Sequence, residues 1–345
     1  MLKYSPTGGF KEESKVAVGN HITEDDRVKL TRKAKLLEKK ARELYHDAEY
    51  ERSGLLYGWA GYAYGQLQAW EDAGYDYGQS GESYRRNGNW SRAGLSYSLS
   101  GEAYERTEKW LGAGLNYSQS SYAYEQGGEY EKAAESYRRA GEAYKETGKW
   151  REVALSYQHS GEACRTARTW RTAGLSYAQS GNAYKKARMW LGAEESYCNA
   201  KMAYTEAGAY DEAGEMYYEE MVMKRMSMKK SSFKRLVSYS YDLLCGYGER
   251  PKNVVISWAV IMILFALIYL FPTGLTYSGT LEISDGFLSN AFHALYFSVI
   301  TFATLGHNHF EPKGYMRPFV MVEALLGIFM IVLFVLVFSR KMMRR

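Results

Sequence analysis

An aromatic residue recurs at every twentieth position through the first two thirds of this chain: Tyr50, Trp70, Trp90, Trp110, Tyr130, Trp150, Trp170, Trp190 and Tyr210. Small residues follow three or four positions later, as in Ala73-Gly74, Ala93-Gly94 and Ala173-Gly174, and a Tyr follows at seven, from Tyr57 to Tyr217. A small residue usually stands at eleven (Gly61, Gly81, Gly101, Gly141) and a second Tyr at fourteen (Tyr64, Tyr84, Tyr104, Tyr124, Tyr144). Offsets of 0, 4, 7, 11 and 14 share one face of an α-helix and no face of a strand. Each unit therefore predicts one helix of about four turns and a short turn.

The turns are legible as well. "RRNGN", "YEQGGE" and "KETGK" place Gly or Asn where a helix stops. Two units make a 40-residue antiparallel pair, and stacked pairs make an α-solenoid in which rings fill seams between closely approaching small residues. On this pattern the array resembles the tetratricopeptide class, with longer units and without that family's full consensus. Residues 49–222 are assigned to the array. Residues 1–48 hold an N-terminal segment and a Lys- and Glu-rich helix from about Ile22 to Asp47, read as the polar cap such an array needs.

Catalytic chemistry is not indicated in the array: His21, His46 and His159 stand isolated and no Gly-rich phosphate loop follows a strand. No enzyme, no cofactor and no firm metal site are expected, and the repeated aromatics are core rather than a ligand cage. The expected work of the array is to offer a partner protein or ligand a long surface. Net charge is only +5, which argues against nucleic acid as that partner. Cys164, Cys198 and Cys245 have no C-x-x-C spacing, so a reducing compartment is expected. The stretch "MLKYSPTGGFKEESKVAVG" has no apolar centre, and no cleavable signal is expected.

Residues 254–338 differ in kind. "VVISWAVIMILFALIYLF", 254–271, is an 18-residue run without a charge, roughly 27 Å long as a helix and close to the thickness of a bilayer's hydrocarbon. "FVMVEALLGIFMIVLFVLVF", 319–338, carries one charge, Glu323. Both predict spanning helices. Before the first, Lys224 to Lys252 holds eight Lys/Arg against Asp242 and Glu249, and after the second comes a basic tail, 339–345. Positive flanks at both outer ends predict a cell-membrane protein with both termini in the cytoplasm. Residues 223–253 are read as a basic juxtamembrane linker attracted to anionic lipid of the bilayer.

Between the spans, Ala291 to Phe302 is apolar but only 12 residues long, too short to cross and too apolar for a loop in water. A re-entrant helix over 289–302 followed by a Thr-Leu-Gly turn satisfies the rule that irregular backbone at membrane depth must be buried or line water. Its C-terminal end would favour a cation.

These pieces together resemble the two-transmembrane pore module of the potassium channel family, especially its prokaryotic members. The resemblance rests on "GYGERP" before the first span, "ALYFSVITFATLG", Pro312 six residues after Gly306, and "EALLGIF" in the second span, and it covers about the last hundred residues. It implies a homotetramer, since one chain supplies a quarter of a pore. It also implies a filter over 304–308: Thr304 through hydroxyl and carbonyl, Leu305 and Gly306 through backbone carbonyls, then His307 and Asn308. Gly327 falls where the family has a gating hinge, with close packing as its other reading, and Glu323 falls behind the filter as its support.

The filter departs from the family at three places. His307 stands for an aromatic Tyr or Phe, Asn308 for a second Gly, and His309 for the usual Asp. Asn tolerates the left-handed backbone that Gly serves there, but the aromatic cuff and acidic mouth of strict potassium selectivity are missing. Potassium is the expected permeant ion and sodium stays open. Four chains would gather eight imidazoles from His307 and His309 at one mouth, which suggests sensing of protons, Zn²⁺ or Ni²⁺; a ring packed at 307 and a solvated His309 is the plainer reading. The expectation is an all-α protein: a solenoid, then two spans with a re-entrant pore helix, forming a tetrameric cation channel. A membrane-anchored scaffold with a degenerate pore is the alternative.

Overall fold

The computed structural model describes residues 23–270, 275–277, 287–305, 310–312 and 314–342. The chain divides into two compact units, residues 1–167 and 168–345.

The first unit is a succession of helices: α1 (Glu24–His46), α2 (Tyr50–Gln66), α3 (Trp70–Arg86), α4 (Trp90–Arg106), α5 (Trp110–Gln126), α6 (Tyr130–Glu146) and α7 (Trp150–Thr166). Thr23 caps α1, its hydroxyl accepting from the Asp26 N–H at 3.2 Å, and Glu24, Asp25 and Asp26 fill the positive first turn. From α2 onward every helix has 17 residues. Each ends the same way. The residue two before the next helix is left-handed: Ala48, Gln68, Gly88, Glu108, Gly128 and Gly148. Around Gln68, for example, Gln68 N–H donates to the Gly65 carbonyl at 3.1 Å and Ala69 N–H to the Tyr64 carbonyl at 3.0 Å, the paired closure that satisfies a helix's last carbonyls.

The seams are ring-in-notch joints. A Cβ on Gly94 would lie 2.8 Å from the Tyr124 ring, and one on Gly114 2.7 Å from the Tyr144 ring. Gly101 receives Tyr117 in the same manner, also at 2.7 Å. The Tyr rows at seven and fourteen are thus core, whereas the leading Trp row is only half-buried, with Trp70 lying under Arg106 at 4.3 Å. A second device runs through the seams. Buried Ser80, Ser100, Ser120 and Ser160 donate to carbonyls of the preceding helix, at Gly54 (2.7 Å), Gly74 (2.6 Å), Gly94 (2.7 Å) and Ala134 (2.9 Å). Small residues here do two jobs, admitting rings and supplying hydroxyls that keep buried polar groups satisfied.

The second unit begins with three more repeat helices, α8 (Trp170–Lys186), α9 (Trp190–Glu206) and α10 (Tyr210–Ser227). Their joints repeat the same chemistry: Gly174 under Tyr204, Gly181 under Tyr197, and Ser180 facing Ser196 at 3.1 Å. The segment expected as a linker is mostly ordered helix. Its first residues finish α10, and α11 (Phe233–Cys245) follows. A turn over Gly246–Gly248 then leads into α12 (Pro251–Leu270), and α13 (Phe287–Phe302) and α14 (Arg317–Met342) complete the unit.

One departure from an all-helical reading lies between the spans. Leu275–Tyr277 (β1) pairs antiparallel with Phe310–Pro312 (β2), in the register Leu275 to Pro312 and Tyr277 to Phe310. Sequence reasoning does not reach a three-residue ribbon, because it has no room to show an alternating pattern.

Candidate functional site

α12 and α14 are each long and apolar enough to cross a bilayer, and α13 is a shorter apolar helix. α13 packs against both. Their mutual anchor is Glu323, fully buried in α14. The Tyr269 hydroxyl of α12 donates to its Oε2 at 2.6 Å, and the Ser298 hydroxyl of α13 bonds to its Oε1. Ser298 also lies 2.9 Å from the Met262 carbonyl of α12, so its single proton is shared. Phe297 stands edge-on to Tyr269 at 5.0 Å beside this knot. One carboxylate therefore ties three helices, where a buried charge needs several partners to be tolerated.

Thr304 closes α13. Its φ is 56°, an uncommon place for a β-branched residue. Thr304 N–H donates to the Thr301 carbonyl at 3.0 Å and Leu305 N–H to the Ile300 carbonyl at 3.1 Å. The same paired closure ends the repeat helices, so the left-handed Thr304 marks where α13 stops. Leu305 follows, 77% exposed in the single chain. Gly306, His307, Asn308 and His309 lie outside the described residues.

Gly327 meets the end of the same helix from the other side. A Cβ there would stand 2.1 Å from the Phe302 carbonyl oxygen. The bare glycine lets α14 run directly under the last turn of α13, and α14 continues as one helix through it. Thus Thr304, Leu305, Glu323 and Gly327 all lie at or against α13. Tyr269 and Ser298 are not found by sequence reasoning: both apolar helices carry more than one hydroxyl, and only three-dimensional proximity singles out these two. Among the described residues no cluster of side chains could hold a metal ion.

These features define a membrane protein with two spanning helices, a shorter apolar helix between them and a helical-repeat domain before them. Residues 39–241, more than half the chain, match the family model of the soluble NSF attachment proteins, and the chain belongs to that family. Residues 254–344 match the model for ion channels, so an ion-channel module follows the repeats. The repeats thus match attachment-protein helices, a more specific finding than a general tetratricopeptide likeness. A crystal structure of BtubC (BKLC) from P. vanneervenii is similar at 14% identity over 60% of this chain and 88% of that one, with a TM-score of 0.32. No curated protein matches the chain.

Proposed function

We propose that this chain forms a homotetrameric cation channel whose repeat domain regulates the pore or recruits a partner. The observation that carries this reading is α13: a short apolar helix that stops at a left-handed Thr304, tied to both spans through Glu323 and seated on Gly327. Four such ends converging on one axis would aim four negative dipole termini at the filter, favouring a cation there. Thr304, Leu305, Gly306, His307 and Asn308 would line the filter, with potassium as the permeant ion. Glu323 serves as its brace and Gly327 as both seat and hinge. His307 and His309 would place imidazoles at the outer mouth, where protons, Zn²⁺ or Ni²⁺ could block.

Basic residues flanking both spans put the repeats in the cytoplasm. α11 fits the membrane surface on that side: Phe233, Leu236, Val237 and Leu243 are exposed beside Lys229, Lys230 and Lys234, the composition of an interfacial helix. Uptake of ⁸⁶Rb⁺ into liposomes holding the purified full-length protein tests the channel reading. Accumulation against a potassium gradient supports it; no uptake at any pH or voltage overturns it in favour of a membrane-anchored scaffold.

A further inference from the structure

The turn that joins α11 to α12 lies in residues covered by neither family match. Three successive residues in it are left-handed: Gly246, Tyr247 and Gly248, at φ 55°, 55° and 85°. Tyr247 is the one with a side chain to strain, and it is completely buried. Its hydroxyl lies 2.8 Å from Ser238 Oγ of α11, and its ring packs on Tyr241 of α11 (5.6 Å) and Tyr218 of α10 (6.0 Å). A backbone conformation this costly is held in place by contacts on several sides. The turn thereby fixes the last repeat helix against the approach to the first span.

The same turn reaches the far end of the second span. Gly248 has no Cβ, and one added there would lie 3.3 Å from Nη1 of Arg340, in the last turn of α14. Arg340 Nη2 stands 3.2 Å from Oε1 of Glu249, which is buried. Its guanidinium also lies 5.1 Å from the ring centroid of Tyr217 in α10. The neighbouring Arg250 is gripped by the same helix: it sits 3.7 Å from the Tyr218 ring and 4.0 Å from Glu215. Adjacent tyrosines of α10 thus hold one arginine just before α12 and one from the end of α14.

We propose that Tyr217, Glu249 and Arg340 form a latch through which the last repeat helix positions the inner end of α14 and so sets how often the pore is open. The proposal rests on the channel reading. From the seat at Gly327 to Arg340, α14 is one unbroken helix, a lever of about 20 Å at the helical rise. A helix of that length transmits displacement rather than absorbing it. The ion pair makes the latch discrete: a buried carboxylate that loses its cation is penalised strongly, so α14 either follows the latch or separates from it. A ligand or partner that shifts α10 would bias that choice. Tyr217, Glu249 and Arg340 are positioning residues and touch no ion in the filter.

Single-channel recording of the full-length protein in planar bilayers tests the latch. Glu249→Gln and Arg340→Gln should each change open probability by about 2- to 30-fold, the usual reach of a coupling residue, with unitary conductance unchanged. The double variant should change it no more than either single one, because both remove the same interaction. Glu249→Arg combined with Arg340→Glu should recover part of the wild-type value. Tyr217→Leu, which leaves both charges and is the milder change should a charge variant fail to assemble, should move open probability the same way; Tyr217→Phe should rescue it by keeping the ring. Unaltered open probability, or strictly additive effects of the two neutralisations, overturn the latch while wild-type currents keep the channel reading. Absence of current from the wild type overturns the channel reading, and the latch with it.

Discussion

Asp76 is the residue that fits its own repeat least well. It stands six positions after a leading aromatic, where other units carry Ser96, Ser136, Ser156, Ser176 and Ser196. Several of those serines face another serine sixteen positions earlier, as in Ser80 with Ser96 (3.1 Å) and Ser120 with Ser136 (3.0 Å). The corresponding residue for Asp76 is Ala60, which has no hydroxyl to give. Asp76 is buried, and neither carboxylate oxygen has a hydrogen-bond partner among the described residues. Burial first, then the charges of Glu38 and Asp72, push its carboxyl from an ordinary 3.8 up to about 8. The folded state therefore keeps a proton that the unfolded chain surrenders above its own pKa, so Asp76 lowers stability as pH rises from about 4 to about 8. Asp76→Ser should raise stability at neutral pH by about 1–3 kcal/mol, the cost of a buried unsatisfied group. Melting of wild type and variant in detergent at pH 5 and pH 8 checks it, with the larger gain expected at pH 8. Gly327 is the second residue with no latitude: the methyl of Gly327→Ala would press on a backbone carbonyl. Overpacking of that kind costs about 1–3 kcal/mol or more. Size-exclusion chromatography and melting should show impaired assembly, whereas a variant that assembles normally and gates differently would assign Gly327 to bending alone.

Among the elements, the repeat turns show where local and tertiary demands part. All those in the array use a left-handed residue at one register position, yet only some supply Gly: Gly88, Gly128, Gly148 and Gly208 against Ala48, Gln68, Glu108, Arg168 and Arg188. The strained residues persist because the flanking helices are already seated by their rings, and the turn conforms. Glu108→Gly should therefore stabilise the protein by about 0.5–1 kcal/mol, and Gly128→Ala should destabilise it by a similar amount. Chemical denaturation followed by Trp fluorescence measures both. The notches obey the opposite rule. Gly94→Ala would drive a methyl to 2.8 Å from the Tyr124 ring, and should cost about 1–3 kcal/mol because the ring is enclosed. A substitution favourable to helix propensity is thus harmful in the seam, while one unfavourable to it helps in the turn.

At the scale of the whole molecule, the proposed tetramer would bring four copies of residues 307–309 to one mouth. Replacing His307-Asn308-His309 by Tyr-Gly-Asp should sharpen preference for potassium over sodium and weaken any block at low pH. Reversal potentials under bi-ionic conditions at pH 5.5 and 7.5 read both effects, and unchanged permeability ratios would show that these three positions do not set selectivity. The mass of the detergent-solubilised protein should correspond to four chains.

The two halves of the chain were legible for different reasons. Twenty-residue spacing, a 3.6-residue face and charge-free runs of spanning length are properties of the chain taken in order, so helices, notches and spans follow from the letters. The short apolar helix before Thr304 was legible too, and Thr304 and Leu305 close it, as the Thr-Leu-Gly turn in the sequence suggests. What the letters do not contain is which distant groups share one place. Only folding brings Tyr269 and Ser298 to Glu323, sets Gly327 beneath Phe302, and carries Arg340 to Glu249 and Tyr217. Such contacts depend on helix packing angles and on burial, where a polar group must find a partner or bear the cost of lacking one, and no periodicity along the chain records that choice.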